Sequence, residues 1–402
     1  MVEKQALAGI RVVDFSWAAS GPLSTMYLAL HGAEVIKIES SRSLDIARRG
    51  YYTGVKDIDA SPNFNDMHVN KLTTRLNLAH PKAARLVKEM VRVSDVVVEN
   101  FRPGILEKYG LAYPELKKVK PDLLMLSSST GGQTGPEREL PGYATVFGAL
   151  GGLSYITGHE GGPATEIWDS IDMRLGTAIT VAVTIGMYRQ RRTGQGQHID
   201  LSSREVISSL LGDVFFDYFM NGRVQGRRGN RDDIMAPHNC YPCRGKDRWI
   251  SIAVATDEEW RALCAVAGRK DWAEDTRFAD RYGRWRCQEE IDAMLAQWTR
   301  DKDAAELTRR LQEAGVAASP SMDVVDLVNN PHVQARRVLM EVSHPKLGMT
   351  RPVRAPWLLS ETPAQAKRHG PMFGEHNGYA FRDLLGLPTA EMEVLKGEGV
   401  FE

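Results

Sequence analysis

Apolar positions along this chain fall into short β-branched runs separated by stretches with helical spacing. Residues 9–15 (GIRVVDF) and 33–38 (AEVIKI) predict two strands around a helix over 23–31, a βαβ unit. Pro81 opens a helix predicted to run to residue 93, with Ala84, Leu86, Val87, Met90 and Val91 on its apolar stripe. Further strands are predicted over 95–98 and 123–127. Strands that alternate with helices in this way form parallel sheets, so the fold class is α/β. Residues 173–190 are apolar with few breakers and predict a buried helix, ended by Arg191 and Arg192 ahead of Gly194. At 224–230 the chain turns Gly- and Arg-rich, a link into a smaller region of mixed strands and helices over about 241–318. From Pro320 onward, Pro331, Pro345, Pro352, Pro356 and Pro363 punctuate short elements, and residues 392–400 close the chain.

A length of 402 residues with 43% hydrophobic and 25% charged positions fits a globular protein of two domains. Lys plus Arg and Asp plus Glu both number 51, so no net charge draws the chain to nucleic acid or an anionic membrane, and an anionic ligand must meet local basic groups. No apolar run approaches the roughly 20 residues that span a bilayer, and residues 1–5 lack a signal-peptide core, so a cytoplasmic location is expected. Cys240 and Cys243 have the Cys-x-x-Cys spacing of redox and zinc sites, with His238 nearby. No second ligand pair accompanies them, and they are read as buried or loop thiols.

The chain has no G-x-G-x-x-G after its first strand and no P-loop, H-E-x-x-H or G-x-S-x-G motif, which argues against dinucleotide, nucleotide, zinc-protease and serine-hydrolase chemistry. It does have glycine-rich turns at 131–136, 151–152 and 158–163, where backbone amides can approach a ligand closely. Asp172 follows them, just ahead of the apolar helix, where the helix dipole favours an ionised carboxylate. Two readings fit it: a nucleophile, or a cap in which Asp169 would serve equally.

Several separate motifs decide between these readings. They are residues 7–15, Gly21-Pro22, residues 31–39 (HGAEVIKIE), Asn70-Lys71, residues 95–104 (DVVVENFRPG), residues 131–136, Ile171-Asp172-Met173 with Gly176, residues 192–197 and Gly374-Glu375-His376. Together they resemble the family III CoA-transferases, the formyl-CoA and carnitine CoA-transferase-like family, over nearly the whole chain. The resemblance implies a Rossmann-like large domain from residues 1–223, a small α+β domain from 224–325, and a segment 326–402 that returns to the large domain. It also implies two subunits threaded through each other as interlocked rings, either a homodimer or a heteromer with a paralogous chain.

In that family the aspartate followed four positions later by glycine is the nucleophile, which makes Asp172 the catalytic residue. Coenzyme A enters as a substrate thioester, and neither a metal nor a permanently bound cofactor is needed. For CoA and substrate binding the resemblance marks Trp17 and Ala18 in the first turn beside the CoA thiol end, Asn100, Phe101, Arg102 and Lys108 near the nucleotide end, and also Lys71 and Tyr143. Arg42 stands as the candidate for an arginine that usually follows the second strand more closely. Trp17 as core and Lys108 as a solvated charge are the alternatives. His376 is read as structural. Acyl-CoA racemases share the fold, but they carry a histidine acid/base where this chain has Tyr143, and a tyrosine of pKa about 10 suits that task poorly. Residues 168–174 and the loop 130–135 resemble the subunits that transfer CoA from succinyl-CoA to benzylsuccinate in anaerobic toluene breakdown, where Arg174 or Arg138 would pair with a second carboxylate; aromatic, bile-acid, carnitine and oxalate-type acceptors stay open alternatives.

Overall fold

A computed structural model describes residues 5–50 and 54–402, except for the side chains of Trp168 and Asp169. The residues divide into two compact units, one of 1–155, 165–225 and 336–402, the other of 156–164 and 226–335.

The first unit is built on a six-stranded sheet in the order β3-β2-β1-β4-β5-β6. Its strands are β1 (Arg11–Asp14), β2 (Glu34–Glu39), β3 (Leu72–Arg75), β4 (Val96–Glu99), β5 (Leu124–Ser129) and β6 (Gln197–Ser202). Every pairing is parallel. The predicted strands are all present within one or two residues of their expected ends, whereas β3 and β6 have no apolar run to announce them. The inner strands are apolar on both sides because both sheet faces are covered. On one face Val12, Val35, Val96, Val98, Leu124 and Leu126 pack against helix α1 (Ser20–Leu30) and a long helix, Trp168–Thr193. On the other, Val13, Ile36, Val97 and Met125 pack against Leu86, Val87 and Met90 of the helix Ala83–Arg92 and against Phe381, Leu395 and Phe401 of the C-terminal segment.

That segment also covers the sheet edge. The Thr73 N–H donates to His376 Nδ1 at 3.3 Å, the His376 N–H donates to the Thr73 carbonyl at 2.9 Å, and the Arg75 N–H donates to Asn377 Oδ1 at 2.7 Å. An open edge strand would invite pairing with another chain. The Gly-Glu-His motif thus does structural work here. Gly374 adopts φ +70°, and a Cβ on it would lie 2.4 Å from Arg75 Cδ.

The second unit holds an antiparallel sheet of β7 (His238–Pro242), β8 (Trp249–Ala253) and β9 (Ala317–Pro320). Tyr241, Ile250 and Ile252 pack under helices around Trp260, Leu263, Ile291 and Leu295. All four cysteines are free. Burial pushes the Cys243 thiol up to about 11 and Cys264 up to about 12, which leaves both as thiols rather than reactive thiolates.

Candidate active site

Strand order 3-2-1-4-5-6 reverses direction between β1 and β4, and open parallel sheets bind ligands outside the carboxyl ends of the strands at that point. The turn leaving β1 and the turn leaving β4 therefore form the expected crevice. Asn100 ties them together. Its Oδ1 accepts the Trp17 N–H at 2.7 Å, and its Nδ2 donates to the Trp17 carbonyl at 2.9 Å. The Phe101 ring meets Trp17 edge-on at 5.5 Å. Four of the sequence-marked residues, Trp17, Ala18, Asn100 and Phe101, thus stand together.

Beneath this turn lies a buried ionic network that the sequence reading did not anticipate apart from Lys71. Asp14, at the end of β1, accepts from Ser16 N–H at 2.8 Å and Thr25 Oγ1 at 2.7 Å, and pairs with Lys71 Nζ at 3.1 Å. Lys37 pairs with Asp45 at 3.0 Å and donates to the Ser16 carbonyl. All four charged side chains are fully buried. Burial lowers Lys71 to about 8 even though Asp14 opposes it. Burial alone would raise the Asp14 carboxyl, but Lys71 and Lys37 overcome it and hold the group below the usual carboxylate range. Lys71 thus reaches Asp14, Thr25 and the Pro22 carbonyl, and it meets the turn from below.

Asp172 reaches the same edge of the sheet on the long helix. The apolar run predicts a helix beginning beside Asp172, and one of the two readings makes Asp172 or Asp169 its cap. The helix instead begins at Trp168, with Ile167 at its N-cap position, so Asp172 is its fifth residue and no cap. Asp169, Ser170 and Asp172 mask this start, since such residues also fit a turn. The capping candidate Asp169 falls outside the described side chains. Nor is the helix buried all round: Ile171, Leu175, Ile179 and Val183 face inward, while Val181, Ile185 and Tyr188 are exposed.

The direction of this helix follows from its contacts. Gln190, near its end, donates to the Asp95 and Asp122 carbonyls ahead of β4 and β5. Gly176, near its start, lies against the first turn of α1, where an added Cβ would stand 2.9 Å from the Ser20 carbonyl oxygen. The helix therefore runs antiparallel to the strands and carries the half-buried Asp172 to their carboxyl edge. The glycine four positions after the aspartate is what lets the two helices cross so closely. Gly176→Ala is expected to lower stability by about 1–3 kcal/mol, since main chain rather than a flexible side chain must yield; urea unfolding measures it.

Helix Ala144–Leu150 packs beside this turn, a Cβ on Gly148 reaching within 2.6 Å of Ile171 Cδ1. Tyr143, its N-cap residue, is 70% exposed and lies next to Gly142, which abuts Thr130 after β5. The loop 131–136 closes on β6, with the Gln133 N–H donating to Asp200 at 2.7 Å, and borders a 430 Å³ cleft with Ser202, Arg204 and Ser208. Arg102 and Lys108 are exposed beyond the β4 turn. Arg42 is exposed and paired with Glu402 at 3.0 Å. Arg138 pairs with Glu139, and Arg174 is exposed.

The β1 turn is no dinucleotide site. In such sites glycine amides receive the phosphates, whereas here the N–H groups of Ser16, Trp17 and Ala18 go to Asp14, Asn100 and Asp45. Among the described residues no group of three or more His, Cys, Asp or Glu side chains is gathered as a metal site, and no helix is long and apolar enough to cross a membrane.

Glu99, at the end of β4, is raised to about 7 by burial, against hydrogen bonds from Ser127 and the Phe101 N–H. The folded chain therefore holds this proton more tightly than the unfolded one. The resulting stability is full below pH about 4.5 and is lost as pH rises to about 7, a change of about 3 kcal/mol. Glu99→Gln should flatten that stretch of the stability profile, as read by urea unfolding across the range.

Residues 7–377 match the family model described as CoA-transferase family III. Succinyl-CoA–D-citramalate CoA-transferase from Chloroflexus aurantiacus is 33% identical over 98% of both chains. The succinyl-CoA–L-malate CoA-transferase beta subunit of the same organism is 32% identical, again over 98% of both. Among solved structures, a CAIB/BAIF family protein from Brucella suis superposes with a TM-score of 0.85 at 28% identity, covering 95% of this chain and 100% of that one. The chain belongs to family III of the CoA-transferases and is an enzyme that moves CoA between acids.

Proposed function

We propose that this enzyme transfers CoA from succinyl-CoA to a dicarboxylic acid, with Asp172 as the covalent carrier. The observation that supports the reading is the position of Asp172: one turn ahead of the Gly176 crossing against Ser20 of α1, at the carboxyl edge of the sheet. A carboxylate oxygen of Asp172 attacks the thioester carbon, CoA thiolate leaves, and a succinyl-aspartyl anhydride forms. The thiolate attacks the Asp172 carbonyl of that anhydride, which releases succinate and leaves an aspartyl-CoA thioester. The acceptor carboxylate then attacks this thioester and expels CoA thiolate, giving a second anhydride. Attack of the thiolate on the acceptor's carbonyl forms the new acyl-CoA and restores the Asp172 carboxylate. Backbone amides at this edge supply the donors for the tetrahedral oxyanions. Trp17 and Ala18 line the thioester end of CoA, and Asn100 and Phe101 pack against Trp17 on the side that leads toward the nucleotide end, where the exposed Arg102 and Lys108 suit its phosphates; the exposed Tyr143 is a further substrate contact. Lys71 acts through Asp14. Arg42 binds only if it leaves Glu402.

The named activities of the citramalate and malate relatives support succinyl-CoA as donor and a small dicarboxylate as acceptor. Benzylsuccinate, itself a substituted succinate, is the aromatic member of that class. Assembly with a second chain, identical or paralogous, is supported by exposed apolar side chains on the long helix and on the helix Gly212–Asn221, where Phe219 and Met220 are 76% and 77% exposed. The test is a panel of acids offered with succinyl-CoA, with new acyl-CoA followed by mass. Transfer to citramalate, malate or benzylsuccinate supports the reading. Absence of transfer to any dicarboxylate, or α-deuterium wash-in to a chiral acyl-CoA without an acceptor, contradicts it.

A further inference from the structure

Three consecutive N–H groups in the turn after β1 are each taken by a side-chain oxygen: Ser16 by Asp14 at 2.8 Å, Trp17 by Asn100 at 2.7 Å and Ala18 by Asp45 at 3.1 Å. The last of these holds the strained member. Ala18 has φ +63°, a left-handed conformation that is strained for an alanine and persists only where the surroundings over-determine it. Asp45 is well built for that task. The same Oδ1 takes the Ala47 N–H at 3.0 Å at the start of the short turn Ile46–Arg49, and Oδ2 faces Lys37 Nζ at 3.0 Å with both side chains fully buried. Lys37 in turn donates to the Ser16 carbonyl, so the pair grips the turn at two points.

We propose that Asp45 is a positioning residue for CoA transfer: by holding the Ala18 N–H it fixes where Trp17 and the start of α1 stand beside Asp172. This rests on the reading of the Trp17 turn as the thioester end of the CoA site. Neither Asp45 nor Lys37 faces the crevice, so both act through the turn. Reacting groups displaced by about 1 Å lose on the order of 100-fold in rate, and a turn relaxing out of the left-handed region moves its neighbours by such amounts.

The measurement is exchange of labelled succinate into succinyl-CoA, which needs no knowledge of the acceptor. Asp45→Ala is expected to lower the kcat of exchange at least about tenfold while KM for succinyl-CoA stays within about threefold, because the nucleotide end of CoA is held elsewhere. Asp45→Asn keeps an acceptor oxygen for Ala18 and recovers most of the lost kcat. If Asp45→Ala does not fold, Lys37→Met/Asp45→Leu, which removes both buried charges together, takes its place with the same expected loss. A folded variant without the acceptor that exchanges label at the wild-type kcat overturns the inference, as does Asp45→Asn falling as far as Asp45→Ala. A wild-type enzyme that exchanges no label sinks the donor reading as well; one that exchanges normally beside an indifferent Asp45 sinks this inference alone.

Discussion

Lys71→Met destabilises the folded chain by about 3–5 kcal/mol, the cost of leaving a buried carboxylate without its partner. Lys71 is enclosed, and its ammonium is shared among Asp14, Thr25 and the Pro22 carbonyl. Removing it leaves Asp14 sealed in the interior with Lys37, which is already engaged with Asp45 and Ser16. Methionine fills most of the space, so the loss reads electrostatics rather than a cavity. Removing the partner as well should return much of the stability: Asp14→Leu/Lys71→Met is expected to be the more stable of the two variants, since an apolar replacement of a whole buried pair is often neutral. Urea unfolding of both variants decides the matter, and a loss below about 1 kcal/mol in Lys71→Met would show that the pair does not hold the turn.

Asp172→Ala is expected to lower succinate exchange by on the order of 10⁴-fold or more while the fold and CoA binding persist. Asp172 is half-buried at the fifth position of a 26-residue helix that is anchored by packing further along, so its loss leaves that packing in place. Circular dichroism and the urea midpoint should stay close to the wild type. A variant that still exchanges label at more than a few per cent of the wild-type rate would remove Asp172 from the chemistry.

Which parts of this molecule could be read from sequence follows from burial. Strands β1, β2 and β4 carry β-branched and β5 carries Leu and Met side chains because both of their faces are covered, and such apolar runs stand out. The edge strand β3 (LTTR) is mostly polar, and β6 (QHIDLS) carries only Ile199 and Leu201 in alternation with polar residues, so neither forms an apolar run. The helix start at Trp168 was hidden because Asp169, Ser170 and Asp172 also suit a turn. The site divides in the same way. The family resemblance points to Asp172, Trp17 and Asn100. Asp14, Lys37 and Lys71 also lie in the matching motifs, but nothing there marks them as ion pairs with one another or with Asp45: Asp14 and Lys71 are 57 positions apart, and no local pattern marks two distant charges as buried partners. Arg42 shows the converse, a plausible ligand in sequence whose guanidinium pairs with Glu402.

The most direct test of the central claim is to incubate the protein with succinyl-CoA, record its intact mass and map the modified peptide. The account predicts an added CoA on the peptide that carries Asp172, absent from Asp172→Ala. A wild-type protein that gains no CoA, or an adduct that survives in Asp172→Ala, would contradict it.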